Sequence, residues 1–201
     1  MAVTGRHPLA RAGRRTIARV DCAVFISYRG EQSGSYAVLL HRELSRHFGQ
    51  GTVFLDTESL PAGSDYVREL LSRVRQAQVL IALVGPGWLS AVDPVGRRRI
   101  DDSRDWMRRE LAEAFDAGVS VIPVLTDGAD MPLGSDLPTD IALLGRCQYR
   151  RLRYRDASAD LVRLVADLET RGIPTRPPFG LASGVPWLRK LLCGCRRHAA
   201  D

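Results

Sequence analysis

Residues 78–85 read QVLIALVG, six consecutive apolar side chains closed by a glycine. Such a run is too short for an ordinary helix and shows no polar alternation, so it predicts a strand buried on both faces. Strands of that kind belong to parallel sheets covered by helices on either side. Working outward, CAVFISY (22–28), TVFLD (52–56) and VSVIPVL (119–125) are likewise short, apolar and β-branched, the first two with aromatic residues as well. CQYRRLRY (147–154) is more polar and is expected at a sheet edge. Pro123 removes one ladder donor from VSVIPVL and asks for a sheet position that tolerates the loss.

Helical periodicity fills the intervals. Ala37, Leu40, Leu44 and Phe48 recur at helical spacing over 33–48 and stop at Gly49-Gln50-Gly51, with Ser33 and Ser35 as expected N-cap residues. After a Pro61/Gly63 turn, Val67, Leu70, Leu71 and Val74 form an i, i+3, i+4, i+7 stripe. A polar loop (86–103) leads into a helix near 104–117, with Met107, Leu111 and Ala114 as its expected sheet-facing side. Leu161, Leu164, Val165 and Leu168 mark a last helix. This alternation predicts an α/β, flavodoxin-like, doubly wound five-stranded parallel sheet with helices on both faces. Ligands of such folds bind outside the carboxyl ends of the strands, here the loops after Tyr28, Asp56, Gly85 and Leu125.

The chain has 201 residues and a formal charge of +6, which raises a nucleic-acid partner as the first question. Residues 1–20 hold five arginines and no acid, a net +5, and residues 171–201 are also +5. The middle, 21–170, has 18 basic residues against 22 acidic ones, a net −4. The basic charge therefore belongs to a leader (1–20) and a C-terminal tail (171–201), and no nucleic-acid partner is expected of the acidic domain (21–170). The tail segment VPWLRKLLCGCRRH (185–198) carries the weaker expectation of contact with an anionic membrane. The sole lysine is Lys190, which excludes a Walker phosphate loop and a phospho-receiver site. The longest apolar stretch, Val79–Leu89, is 11 residues, too short to span a bilayer. Cys22, Cys147, Cys193 and Cys195 form no disulfide framework and no four-ligand zinc set, so a cytoplasmic chain without a metal is expected.

VFISYRG (24–30), VFLDTESLPAG (53–63), VLIALVGPGWL (79–89), DWMRRELAEAF (105–115) and VSVIPVL (119–125) resemble, in order and spacing, the successive boxes of a Toll/interleukin-1 receptor (TIR) domain. The similarity covers residues 21–170 and is greatest to bacterial members and to members that cleave NAD+. It implies self-association or contact with other TIR domains through Leu60, Pro61, Ala62 and Gly63. It also implies NAD+ as substrate rather than cofactor, hydrolysed or cyclised at the nicotinamide–ribose bond, with Glu110 as the catalytic carboxylate. Activation by assembly, a role in bacterial antiphage signalling, and a separate sensor or nucleotide-reading effector follow from the same resemblance.

Trp106 and Glu110 stand at i and i+4, on one helix face by spacing, and match the family's W-x-x-x-E pattern. Nicotinamide departs as a neutral amine from a cationic N-glycoside, so one carboxylate suffices where glycosidases use two. The resemblance further implies Phe25, Tyr28, Arg29, Glu58 and Trp106 as substrate-binding residues. Gly30 replaces a second arginine of the family pattern, which leaves Arg29 as the expected pyrophosphate partner. Without the resemblance, Glu110, flanked by Arg108, Arg109 and Glu113, reads as a solvated surface residue. The alternatives are a non-catalytic TIR scaffold and, more remotely, a nucleoside-processing enzyme.

Overall fold

The computed structural model of the chain describes residues 22–55 and 65–175. Glu58, the expected assembly residues Leu60–Gly63, the basic leader, and Cys193 and Cys195 of the tail lie outside the described residues. Five parallel strands form one sheet in the order β2-β1-β3-β4-β5. They are β1 (Val24–Ser27), β2 (Val53–Leu55), β3 (Val79–Val84), β4 (Ser120–Thr126) and β5 (Arg150–Leu152). Four helices connect and cover them: α1 (Gly30–Phe48), α2 (Tyr66–Gln76), α3 (Trp106–Asp116) and α4 (Ala157–Thr170). This is the flavodoxin-like α/β fold expected from the alternation of strands and helices.

The pleat divides the core in two. Phe25, Leu80, Ala82 and Val84 point to the side covered by α2 and α3, where they meet Leu70, Val74, Met107, Leu111 and Ala114. Val24, Ile26, Ile81 and Leu83 point to the other side and pack on Ala37, Leu40 and Leu44 of α1 and on Leu164 and Leu168 of α4. All six residues of β3 are buried, as the run at 79–84 requires of a central strand. β5 is the edge strand, and it pairs only with Val124–Thr126. At Pro123, β4 therefore has β3 as its single strand neighbour, which is how the sheet tolerates the missing donor.

Two local expectations are corrected. α1 starts at Gly30, with Arg29 in the N-cap position, so Ser33 and Ser35 lie inside the helix. The buried stripe of α1 reaches back one turn from Ala37 to Ser33, and that packing draws the helix start toward β1. The connection at 86–103 is also more ordered than a polar loop. A Val92–Arg98 bridge and a 3₁₀ turn at Arg99–Asp101 shape it, and Ile100 inserts fully into the α2/α3 core.

The first turn of α3 is fixed by charge. Asp105 caps the helix by accepting from the Arg108 N–H at 3.2 Å. The same carboxylate takes both terminal nitrogens of Arg29, at 2.8 and 3.0 Å, in a fork-on-fork pair. Both side chains are buried, 5% and 3% exposed. A pair of this kind contributes little net stability, but removing one partner strands a buried charge.

Asp105→Ala is therefore expected to destabilise the domain by about 3–5 kcal/mol, measured by urea unfolding, and Arg29→Met, which strands the buried Asp105 carboxylate but keeps the cap, by about 1 kcal/mol less. Cys22 offers a second check on packing. Burial pushes its thiol up to about 11 from an ordinary value near 9, so the folded state favours the neutral form. Its contribution to stability is present below pH 9 and is lost as pH rises toward 11. At pH 8 Cys22 should resist alkylation in the native protein and react in denaturant, read by peptide mass spectrometry.

Candidate active site

Glu110 is 1% exposed, which overturns the reading of a solvated helical glutamate. At about 100° per residue, position 110 lies between Trp106 and the stripe formed by Met107, Ala114 and Leu111. Its neighbours on the helix therefore carry it to the sheet side. Trp106 stays at the margin of the core, so the expected shared face divides into a buried carboxylate and a half-buried indole.

The carboxylate meets the end of β1. Ser27, itself fully buried, donates its hydroxyl to Glu110 Oε2. Ser27 and Arg29 are two residues apart on one face of the extended chain, a separation of about 6.6 Å. Glu110 and Asp105 are five residues apart on α3, about 7.5 Å along the axis. The two spacings match, and the helix runs opposite to the strand, so Arg29 meets Asp105 at the upper level and Ser27 meets Glu110 one level below. Glu110 is thus held just beneath the carboxyl edge of the sheet, where doubly wound folds bind ligands.

The remaining expected residues separate by face. Phe25 lies on the Glu110 side of the sheet, fully buried, with its ring 5.3 Å from that of Phe54. Tyr28 turns to the opposite side and packs against the α1/α4 core. Arg29, expected to meet pyrophosphate, is committed through its two terminal nitrogens to Asp105, with Arg99 Nε 3.5 Å from the same carboxylate. Trp106 contacts Tyr66 edge-on at 5.5 Å, and the Arg109 guanidinium lies 4.7 Å from its ring centroid. The structure brings Glu110 and Phe25 to one side with Arg29 above them, and it leaves Tyr28 on the other.

Residues that the sequence did not single out complete this environment. Ser27 and Asp105 are the two direct partners of the predicted residues. Trp88 is the third: its indole N–H points at Met107 Sδ at 2.8 Å, and its ring centroid is 6.0 Å from the Arg29 guanidinium carbon. Asp105 is legible as an N-cap just before an amphipathic helix; Ser27, in an otherwise apolar strand, is the more telling signal. Beside them, residues 84–90 and 129–132 border an open groove of about 410 Å³ at the carboxyl ends of β3 and β4, with Arg98, Asp130 and Asp136 as its charged residues. Among the described residues no group of three or more His, Cys, Asp or Glu side chains is placed to hold a metal ion. No helix among them is long and apolar enough to cross a membrane.

Comparison with known proteins bears on this architecture. The chain is 33% identical over 121 residues to the NAD(+) hydrolase sarm1 of Drosophila melanogaster, a match covering 59% of this chain and 8% of that protein. It is 29% identical over 178 residues to the NAD(+) hydrolase tir-1 of Caenorhabditis elegans, covering 86% of this chain and 17% of the other. It thus corresponds to less than a fifth of the length of either relative. The TIR domains in the structure of the activated Roq1 resistosome superpose with a TM-score of 0.55 at 16% identity, over 72% of this chain and 98% of theirs, which is a likeness of fold. A family model for the TIR domain matches residues 24–174, from the first residue of β1 to just beyond α4. The five-stranded sheet, its helices and the element carrying Glu110 all fall within that match, and the chain belongs to the TIR domain family.

Proposed function

We propose that this chain cleaves NAD+ at the nicotinamide–ribose bond, with Glu110 as the catalytic carboxylate, and that it does so as a signalling enzyme of bacterial defence switched on by self-assembly. The observation that carries the reading is the placement of Glu110: a carboxylate 1% exposed, on a helix, tied to the end of β1 beneath the carboxyl edge of the sheet. A fold gains nothing in stability by burying a glutamate there in place of an apolar residue. In a low-dielectric setting the same group interacts strongly with positive charge that develops next to it. The similarity of this chain to relatives named NAD(+) hydrolases supports the same substrate.

The chemistry asks little of the protein. As the C1′–N bond breaks, nicotinamide keeps the bonding pair and leaves neutral, while positive charge spreads over C1′ and the ring oxygen. Glu110, 1% exposed in the single chain, is uncovered by assembly in this reading, and then stabilises that charge and accepts hydrogen bonds from the ribose hydroxyls. Water then adds at C1′ with loss of a proton, or a nitrogen of the substrate's own adenine closes a cyclic product. Trp106, half-buried at the start of α3, supplies an aromatic surface for a planar ring. NAD+ is the substrate in this reading, and no separate cofactor takes part.

Purified chain incubated with NAD+ should release nicotinamide and ADP-ribose, linear or cyclic, identified by mass spectrometry, and Glu110→Ala should lower the rate by at least about 100-fold. Specific activity should rise with protein concentration if assembly switches the enzyme on. Absence of nicotinamide at every concentration overturns the reading in favour of a non-catalytic scaffold.

A further inference from the structure

We propose that Ser27 is a positioning residue for this reaction, its hydroxyl fixing the orientation in which the Glu110 carboxylate is presented to the ribose. The inference rests on the NAD+-cleaving reading of Glu110 and goes beyond it by assigning a role to a residue of β1.

Position 27 is the last of β1, on a strand whose other members are Val24, Phe25 and Ile26, and all four residues are buried. A hydroxyl in such a setting costs free energy unless it is bonded, so a strand built for packing alone would carry an apolar residue there. Its partner is Glu110, 83 residues away in sequence. The neighbour of Ser27 in the sheet register is Ala82 of β3, which faces the same core. Two small side chains side by side leave the recess that a glutamate reaching down from α3 needs. The level of that recess is set by the Arg29–Asp105 pair above it, which holds the first turn of α3 against the end of β1.

A glutamate has three side-chain torsions, and the terminal one is broad and weakly restrained. A donor fixed on a central strand of the sheet removes that freedom by holding Oε2. The gain falls on the step in which charge develops, because an already oriented carboxylate needs no reorganisation as the bond breaks. Ser27 touches Glu110 and, in this arrangement, acts through it.

The test is steady-state kinetics of nicotinamide release from NAD+ by the full chain carrying Ser27→Ala and, separately, Ser27→Cys, with thermal melting to confirm folding. Ser27→Ala should lower kcat by roughly 10- to 100-fold, the worth of a hydrogen bond to a charged group, with KM within about twofold. Ser27→Cys has nearly the same shape and a weak S–H donor, so its kcat should fall between wild type and Ser27→Ala. If Ser27→Ala does not fold, Ser27→Cys carries the test through its own loss of kcat at unchanged KM. A folded Ser27→Ala with wild-type kcat, or a loss carried by KM and equal in both variants, overturns the inference while leaving Glu110 as the catalytic group. A wild-type chain that releases no nicotinamide overturns both.

Discussion

The bidentate contact between Arg29 and Asp105 is the constraint on which the site depends. It joins the end of β1 to the first turn of α3, elements 76 residues apart in sequence, and it buries both charges. Because Asp105 also caps α3, one carboxylate sets where the helix begins and how close it lies to the sheet. Everything lower on α3 inherits that placement. Met107 reaches the Trp88 indole, Leu111 and Ala114 enter the core, and Glu110 arrives opposite Ser27. The pair acts less as a source of net stability than as a ruler, since desolvation offsets much of its attraction.

The ruler explains why a glutamate occupies the interior. Hydrophobic packing between α3 and the sheet would favour an apolar residue at 110, and the helix offers apolar neighbours at 107, 111 and 114 to do that work. A carboxylate at this level is tolerated because a serine ends β1 and because alanine stands beside it in the register. The same local arrangement leaves one carboxyl group held by Ser27 and screened from water beneath the edge of the sheet. Arg29, by contrast, is engaged in holding the helix, which makes it part of the scaffold of the site in this structure.

Much of the architecture was legible in the residues. The continuous apolar runs at 22–26 and 79–84 announce strands buried on both faces, and no other arrangement hides both sides of such a strand. The stripes on α1, α2 and α4 follow from spacing alone. Misplacements arose where tertiary contact overrides a local signal. Ser33 has the chemistry of a cap, yet its position in line with Ala37, Leu40 and Leu44 draws it into the helix interior. The stretch 86–103 is polar in composition, but burial of Ile100 anchors it to the core. Glu110 looked solvated among Arg108, Arg109 and Glu113 because a count of charged neighbours carries no information about which side of the helix meets the sheet.

By itself the sequence determined the α/β alternation, the central strand, and the presence of a W-x-x-x-E helix, because these depend on periodicity and on the residues within one element. Only the tertiary structure decided which side chains meet. Trp106 and Glu110 are neighbours on the helix yet end in different environments, whereas Ser27 and Glu110 are 83 residues apart and share a hydrogen bond. The physical reason is that pairing across elements depends on the register between strand and helix. The match of about 6.6 Å on β1 to about 7.5 Å on α3 exists only once the chain has folded and Arg29 has found Asp105.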